Sequence, residues 1–480
     1  MRLVAVIVAV LATACSGLGR STAAPPDTGS TLVRTWVDRA GNGMLSPGPG
    51  EPLVPRTELA PQSTLVRPLA AFAQITDAHV TDEESPARVE MLDRLGSPFT
   101  SAFRPQEPLS PLVLAAIVCS VDRVHPEAVF ETGDLIDNAQ QNEFSQAVTI
   151  LNGGRVDPNS GAPTYDGVQV TTNADPLIYR PSVDAPRYPN LLAQAQRPFI
   201  SPGLNAPWYP LPGNHDLEVQ GNVPATPVTN SVAVGSQKLL TVDRSALEAA
   251  RGTLVDKHLV DTLLSRGLPG QSEFVPADPR RRELSPIEAV AALRAGSGHG
   301  GSGPLMDDVV DLAPSVRALL LDTANRRAGA SGVLRPRQIT WLREQLIEAG
   351  SRWLLIVSST PLSGTAGATG ALRLLAGDDH VLAAIAGDAH RNSITPVPTA
   401  AGGYWAITTS SLADYPQQAR AFRVWSTASG GVALATWMLD AEPSWQAANI
   451  SRRLAWLDYQ GGRPSGWAGT PADRNATLFR

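Results

Sequence analysis

Short apolar runs alternate along the chain with longer stretches in which apolar residues recur every three or four positions. Runs of four to eight residues bounded by Gly, Pro, Asn or Asp are typical of buried strands, and the longer period is typical of helices. Helices are predicted over residues 109–124 and in the segment RPRQITWLREQLIEAG. Strands are predicted over Leu69–Ile75, Ala128–Glu131, Trp208–Leu211, Ala318–Leu321, Trp353–Val357, Val381–Ala386, Tyr404–Thr408, Phe422–Trp425 and Val432–Leu439. Strands that alternate with helices in this order indicate an α/β domain.

Composition changes along the chain predict its organisation. Residues 25–66 are rich in Pro, Gly and Ser and are predicted to form a leader, and residues 67–440 are predicted to form the domain. A stretch of mixed pattern at about 218–313 is expected to be an insertion, since segments of that length are commonly lids or small subdomains. Residues 441–480 are predicted to be a tail that its tryptophans pin to the core.

The first 24 residues have the layout of a signal peptide, with one Arg, an apolar run and then small residues. The run is too short to cross a bilayer as a stable helix. Two alternatives remain: Cys15 is a lipid attachment point, as in a bacterial lipoprotein, or the protein is secreted after cleavage near Ala14 or Ala24. Both predict export. The other cysteine, Cys119, is expected to be a small buried residue on a helix.

Composition and charge limit the classes of function. The chain has 480 residues, of which 43% are hydrophobic and 18% charged, so it can bury a large core. Its formal net charge is −6 and its sequence pI is about 5.7, whereas nucleic-acid-binding domains carry a basic surface. A nucleic-acid partner is therefore not expected.

Side chains that bind metals follow four of the predicted strands. Because the carboxyl ends of strands in an α/β sheet face the crevice where ligands bind, side chains at these ends are expected to converge. The clusters are Asp77 and His79 in TDAH, Asp134 in TGDLIDN, Asn214, His215 and Asp216 in PGNHD, and Asp388 and His390 in GDAHRN. Carboxylate and carbonyl oxygens suit Mg²⁺ and Mn²⁺, and imidazole suits Fe and Zn. Asp134, with two carboxylate oxygens, is the natural bridge between two ions.

In this order, DAH, GDLID, GNHD and GDAHRN resemble the motifs of the calcineurin-like metallophosphoesterase family, which are D-x-H, G-D, G-N-H-D/E, a lone H and G-H-x-H. The similarity also covers LLLDTANRRAGASGVLRPRQITWLREQL and GGYWAITTSSLADYPQQAR, so that it spans residues 69–439. The resemblance implies an α/β fold, namely a sandwich of two mixed β-sheets flanked by helices (α/β/β/α). It also implies a phosphate-ester substrate and one or two divalent ions, with Mn, Fe, Zn and Mg as the candidates.

The resemblance also implies which residues bind the ions. The first site would consist of Asp77, His79, Asp134 and His390. The second site would share Asp134 and add Asn214, but two imidazoles of the family pattern are replaced here. Ser359, or else Thr360, stands at the lone histidine, and Asp388 stands at the first histidine of G-H-x-H. Either Asp388 is an oxygen ligand for a hard ion, or the second metal is absent.

His215 and Asp216 are the predicted catalytic residues, because the resemblance implies that His215 protonates the leaving oxygen and Asp216 orients its imidazole. Arg88 and Arg104 are weaker candidates for neutralising phosphate oxygens. The leading interpretation is a metallophosphoesterase that hydrolyses a phosphomonoester or phosphodiester by in-line attack of metal-bound hydroxide. The alternative is a cell-surface metal-binding protein on the same fold, with little or no activity.

Overall fold

The computed structural model describes residues 29–95, 101–243, 245, 270–327, 329–458 and 466–480. Its α-helices are α1 (Ser110–Asp122), α2 (Gln141–Asn152), α3 (Leu191–Ala195), α4 (Pro227–Ala233), α5 (Pro286–Ser297), α6 (Pro336–Ala349), α7 (Thr369–Ala376), α8 (Gln446–Leu457) and α9 (Pro471–Arg474). Three small antiparallel pairs are β1 (Arg34–Val37) with β2 (Ser46–Pro49), β6 (Gly154–Val156) with β7 (Phe199–Ser201), and β9 (Gln237–Leu239) with β10 (Ser272–Phe274).

Two larger mixed sheets form the centre of the molecule. The first sheet contains, in spatial order, β3 (Val54–Arg56), β19 (Ala476–Phe479), β18 (Val432–Asp440), β17 (Gln418–Thr427), β4 (Leu65–Ile75), β5 (Ala128–Glu131) and β8 (Trp208–Pro210). The second sheet contains β11 (Asp308–Ala313), β12 (Val316–Leu321), β13 (Trp353–Ser358), β14 (Val381–Ala386), β16 (Tyr404–Thr408) and β15 (Ser393–Val397). All nine predicted strands are therefore present, with small changes of boundary.

Side-chain alternation along the strands explains why the sheets pack face to face. In β12, Ala318 and Leu320 belong to a core shared with Phe72 of β4 and Phe422 of β17, whose rings stack 4.6 Å apart. Leu319 and Leu321 point the other way, into a second core. The predicted two-sheet arrangement is confirmed, because each sheet has one face on this shared core.

Helices cover the outer faces of the sandwich. Leu342 and Leu346 of α6 are buried in the second core, together with Ala371 and Leu375 of α7. Each leucine buried in this way contributes roughly 2 kcal/mol. On the first sheet, α1 packs along β17 and β18, with its apolar side chains in the shared core. The order of layers is therefore helix, sheet, sheet, helix, as predicted.

The predicted leader and tail both contribute to the first sheet. β3 lies in the predicted leader and pairs in parallel with β19, which lies in the predicted tail and pairs in turn with β18. Within residues 218–313, the described part contains α4, β9, β10 and α5, and it ends with β11 at the edge of the second sheet. Periodicity did not predict β3, β11, β15 or β19. β3 and β19 have only three and four residues, and β11 and β15 are partly exposed edge strands of the second sheet, with weaker apolar patterns.

The predicted signal peptide, residues 1–24, and the proposed lipid-attachment residue Cys15 lie outside the described residues. In the part of the chain that the structure does describe, no helix has both the length and the apolar character needed to span a membrane. Cys119 lies on α1 and is completely buried, as its sequence context predicts.

Candidate metal centre

The four predicted clusters lie where strands of the two sheets end side by side. β4, β5 and β8 run parallel to one another, so the segments that follow them leave the first sheet at the same edge. The loop after β4 pairs with the loop after β5, with the Asp77 amide donating to Gly133 and the His79 amide donating to Asp134, both at 2.9 Å. In the second sheet, β13 and β14 are also parallel.

Two glycines allow the loops to approach closely. A Cβ atom at Gly387, at the end of β14, would lie 1.9 Å from the Thr76 hydroxyl, at the end of β4. A Cβ atom at Gly213 would lie 2.0 Å from Oδ1 of Asp134. Both separations are shorter than any carbon–oxygen contact, so glycine is required where the two sheets meet and where the Asn214 loop crosses Asp134.

The structure brings together Asp77, His79, Asp134 and His390, which we call the primary cluster. Nε2 of His79 lies 3.4 Å from Nε2 of His390 and 4.0 Å from Oδ2 of Asp134. Nε2 of His390 lies 3.5 Å from Oδ1 of Asp77. One ligand atom from each of Asp77, His79 and His390 falls within 4.8 Å of the other two, so these three side chains could hold one ion.

Backbone strain is concentrated at this cluster. Of the ten non-glycine residues with positive φ in the described part of the chain, five are predicted metal ligands. They are Asp77 (φ 51°), His79 (φ 44°), Asp134 (φ 54°), Asp388 (φ 62°) and His390 (φ 48°). A left-handed residue other than glycine costs about 1 kcal/mol or more. Such conformations persist only where the surrounding structure imposes them, which is common at ligand-binding sites.

Carboxylates hold both imidazoles of the primary cluster through their other nitrogen. Nδ1 of His79 donates to Oδ1 of Asp137 at 2.8 Å, and Nδ1 of His390 donates to Oδ2 of Asp414. This leaves each Nε2 atom facing the cluster. Carboxylates in this position fix the tautomer and orientation of metal-binding histidines.

Buried arginines hold these two carboxylates in turn. Arg88 donates to Asp137, and Arg104 donates to both oxygens of Asp414, at 2.7 and 3.2 Å. Glu107 connects the arginines, because its Oε2 accepts from Nη2 of Arg88 at 3.0 Å and from the Arg104 amide at 3.2 Å. Sequence reasoning assigned no role to Asp137, Asp414 or Glu107, although Asp137 lies within the GDLID motif.

The donor set of the primary cluster fits a cation. With each Nδ1 atom donating to a carboxylate, a neutral His79 and a neutral His390 point two Nε2 lone pairs at each other across 3.4 Å. Two nitrogen ligands about 2.1 Å from one ion lie about 3.0–3.4 Å apart, so this separation matches a shared metal. The carboxylates of Asp77 and Asp134 complete the set. A cation between the two carboxylates and the two nitrogen lone pairs would relieve the repulsion among them.

Proton affinities in the cluster agree with this interpretation. Burial, with Asp77 adding to it, raises the pKa of Asp134 to about 8. Burial opposes the charged form of His390, but Asp77 and Asp414 outweigh it and raise the pKa of His390 to about 10. Burial lowers the pKa of His79 to about 4, so this imidazole is neutral near pH 7. The metal-free cluster therefore holds protons that a cation would replace.

The predicted second-site residues, Asn214, Ser359 and Asp388, are less well arranged for a metal. Ser359 ends the β13 segment, but its hydroxyl is hydrogen-bonded to the Thr323 hydroxyl at 2.9 Å. The side-chain nitrogen of Asn214 donates to the Gly221 carbonyl at 2.9 Å, which fixes the amide and leaves Oδ1 as its ligand atom. The Asp388 backbone amide donates to Asp77, but its carboxylate is outside the compact group formed by Asp77, His79 and His390.

His215 lies beside the primary cluster, but its partner differs from the one predicted. Nδ1 of His215 is 2.9 Å from Oδ1 of Asp137, and the His215 amide donates to Oδ1 of Asp134 at 2.8 Å. Asp216 instead accepts the amides of Gly213 at 2.8 Å and Ile136 at 3.1 Å. The prediction that Asp216 orients His215 is therefore corrected: Asp137 contacts the ring, and Asp216 shapes the loop.

Burial opposes a charge on His215, but Asp134 and Asp137 outweigh it and raise its pKa to about 9. The two carboxylates therefore favour the doubly protonated ring, with Nδ1 facing Asp137. Its 21% side-chain exposure leaves it reachable from solvent. A protonated imidazole in this position is suited to donate a proton to a leaving group.

The arginines predicted as phosphate contacts have other partners. Arg88 is 1% exposed and contacts Asp137, Glu107 and Glu90, so it supports the cluster from within. Arg104 is 7% exposed and is committed to Asp414. The tail approaches the cluster, which sequence reasoning missed: the Trp467 ring packs edge-on against His390, with centroids 5.6 Å apart.

The chain was compared with protein-family models, curated proteins and solved structures. No protein-family model matches the chain, and no curated protein matches it. Among solved structures, the chain is similar to the crystal structure of a dimetal phosphatase from Danio rerio, with 12% sequence identity and a TM-score of 0.38. That match covers 78% of this chain and 100% of the other chain.

Proposed function

We propose that this protein is a metal-dependent phosphoesterase whose primary cluster holds a divalent ion. The observation that carries the proposal is that ligand atoms of Asp77, His79 and His390 lie within 4.8 Å of one another, with Asp134 4.0 Å from His79 and His215 2.9 Å from Asp137 beside them. The four cluster residues would hold the ion, and Asn214 and Asp388 would be available to a second one. Divalent ions in such sites polarise phosphoryl oxygens and lower the pKa of a coordinated water.

The chain's own residues would contribute positioning and proton transfer. His215 would donate the proton on Nε2 to the departing oxygen, while Asp137 holds its Nδ1 atom and stabilises the imidazolium. Asp137 also contacts His79, so one carboxylate orients both the acid and a metal ligand. A general acid of this kind typically contributes about 10²- to 10⁴-fold to the rate.

Hydrolysis of p-nitrophenyl phosphate and of its bis ester tests this proposal, with Mn²⁺, Fe²⁺, Zn²⁺ or Mg²⁺ supplied. We expect turnover with at least one ion and a loss of roughly 10³-fold in Asp134→Asn, because Asn removes the charge shared by the cluster. Asp379→Asn is a matched control, since Asp379 lies in an exposed group with Asp378 and His380 that has the same residue types. Equal activity in Asp134→Asn and wild type would contradict the proposal.

A specific observation supports a second candidate, a metal-binding protein without hydrolytic activity. The hydroxyl of Ser359 is bonded to Thr323, and the Asp388 carboxylate lies outside the group formed by Asp77, His79 and His390, so these two second-site residues offer little to another ion. A protein that binds one equivalent of metal tightly and hydrolyses neither ester would favour this candidate.

We also propose that the protein is exported, on the basis of the signal-peptide pattern of residues 1–24. Cell fractionation, compared with a Cys15→Ser variant, distinguishes the two alternatives. A lipoprotein would leave the membrane fraction on substitution, and a secreted protein would not change its distribution.

A further inference from the structure

Four aromatic rings are connected at the metal centre through successive contacts. His215 packs edge-on against His79, with ring centroids 4.5 Å apart, and His79 packs edge-on against His390, with centroids 5.3 Å apart. His390 in turn contacts the indole of Trp467 at 5.6 Å. His215 and Trp467 are therefore the two ends of this ring series, and they contact different ligands of the primary cluster.

Solvent reaches the ring series more at its ends than in its middle. The side chain of His79 is 4% exposed, whereas those of His390 and His215 are 12% and 21% exposed. Trp467 is also partly exposed. A ligand that approaches the primary cluster from solvent therefore meets His215 and His390 first, and Trp467 lies beside the second of these two rings.

Hydrogen bonds hold the backbone around Trp467 in place. The Trp467 carbonyl accepts from the amide of Asn392, two residues after His390, at 2.9 Å. The side-chain oxygen of Asn392 accepts in turn from the buried Arg420 at 3.0 Å. Gly469 packs so closely that a Cβ atom there would lie 2.5 Å from the Asn392 carbonyl oxygen. Because its backbone is already fixed, the indole loses little conformational entropy when a ligand stacks on it.

The two ends of the ring series correspond to different parts of a phosphate ester. Under the proposed function, His215 protonates the leaving oxygen, so the leaving group lies at the His215 end. In-line attack breaks the bond between phosphorus and that oxygen, and a second ester group stays on phosphorus. A group beside Trp467, at the other end of the series, is therefore the retained one. A phosphomonoester has no retained ester group, whereas a phosphodiester has one.

We propose that Trp467 is a specificity residue that binds the retained group of a phosphodiester, and that this group is aromatic. An indole presents a large, flat apolar face, on which another aromatic ring stacks favourably. Trp467 takes no part in proton transfer or metal binding. The inference rests on the proposed function and deepens it, because it names the substrate class as phosphodiesters with an aromatic retained group.

Three esters with the same p-nitrophenyl leaving group test this inference. Bis(p-nitrophenyl) phosphate retains an aryl group, methyl p-nitrophenyl phosphate retains a methyl group, and p-nitrophenyl phosphate retains no ester group. We expect Trp467→Ala to lower kcat/KM for the bis ester by about 10-fold, mainly through KM, and to change the values for the other two by less than about 2-fold. Trp467→Phe should keep most of the preference for the bis ester, because it keeps an aromatic face.

Trp445→Ala is the matched control. Trp445 is also a partly exposed tryptophan of the predicted tail, and its ring packs edge-on at 5.8 Å, but against Phe199 and not against a cluster residue. This variant should leave the values for all three esters unchanged. Equal losses for the three esters in Trp467→Ala, together with weaker Mn²⁺ binding, would overturn the inference, because Trp467 would then only position His390. An unchanged preference for the bis ester over the methyl ester would also overturn it.

Binding of two anions that cannot be hydrolysed separates this inference from the proposed function. Calorimetry on the Mn²⁺-loaded protein should show tighter binding of phenylphosphonate than of methylphosphonate, and Trp467→Ala should remove the difference. If the protein hydrolyses none of the esters but shows this difference, the proposed function is wrong and the aromatic contact of Trp467 is supported. If it hydrolyses the esters but binds both phosphonates equally, the proposed function is supported and the contact is wrong.

Discussion

The primary cluster and the second-site residues both lie at strand ends, but their side chains are held in place differently. In the primary cluster, each imidazole is held by a carboxylate, and each carboxylate by a buried arginine. Among the second-site residues, Ser359 bonds to a neighbouring hydroxyl, and Asn214 is oriented only by one bond from its side-chain nitrogen to a backbone carbonyl, with no charged partner behind it. Of these second-site residues, only Asp388 has an ionisable side chain.

This difference shows that convergence of ligand types is not sufficient for a strong metal site. A ligand whose orientation is imposed by its neighbours loses little conformational entropy when it binds an ion, whereas an unsupported one must be ordered at that moment. The primary cluster is therefore expected to bind one ion tightly, and the second-site residues to bind another weakly or not at all.

The largest expected effect is on metal content. His390→Ala should weaken binding of the first equivalent by more than about 100-fold, because it removes a ligand whose orientation is already imposed. Asp388→Ala should change that affinity by less than about 10-fold, since its carboxylate is outside the compact group. Metal analysis after dialysis, with titration calorimetry, measures both. If the two variants lose metal equally, the distinction between the primary cluster and the second-site residues is wrong.

An intermediate effect is expected for the carboxylate behind His390. Asp414→Asn should weaken metal binding by about 10- to 100-fold, the usual cost of losing an outer-shell partner of a metal-bound histidine. Because Arg104 also loses its partner, we expect a lower stability as well. Asp82→Asn is the control, since Asp82 pairs with buried Arg281 and touches neither imidazole. It should lower stability without changing metal affinity, and a similar loss of affinity in both variants would contradict a specific role for Asp414.

The smallest effect concerns protons. His390, with a pKa of about 10, holds a proton near pH 7 in the metal-free protein, and the coupled pair of Asp134 and His215 shares a further one; Asp134 and His390 must be deprotonated to become ligands. Metal binding at pH 7 should therefore release about one to two protons. The number of protons released should fall as the pH rises through 8 and then 10, because the ligands are then deprotonated before the metal binds. Calorimetry in buffers of different ionisation enthalpy measures this number, and a value of zero at pH 7 would show that the cluster is already deprotonated.

The two-sheet architecture was implied by the resemblance of the motifs to a known family. The sequence by itself determined the α/β class, all nine predicted strands and the position of the candidate ligands at strand ends. It did so because buried strands and helices have distinct periods and because Asp77, His79, Asp134 and His390 occur in short local motifs. The strands β3 and β19 escaped prediction because pairing with distant parts of the chain, and not local pattern, makes them strands.

Only the tertiary structure decided how the ligands are supported. Asp137 holds the His215 ring in place of Asp216, Asp414 reaches His390 across 24 residues of sequence, and Arg104 reaches Asp414 across 310. Pairings over such separations leave no trace in a local pattern, and a buried arginine in a sequence has the same letter as a solvated one. Burial and partner choice are properties of the packed chain, which is why Arg88 and Arg104 suggested phosphate contacts in the sequence and are found supporting the imidazoles in the structure.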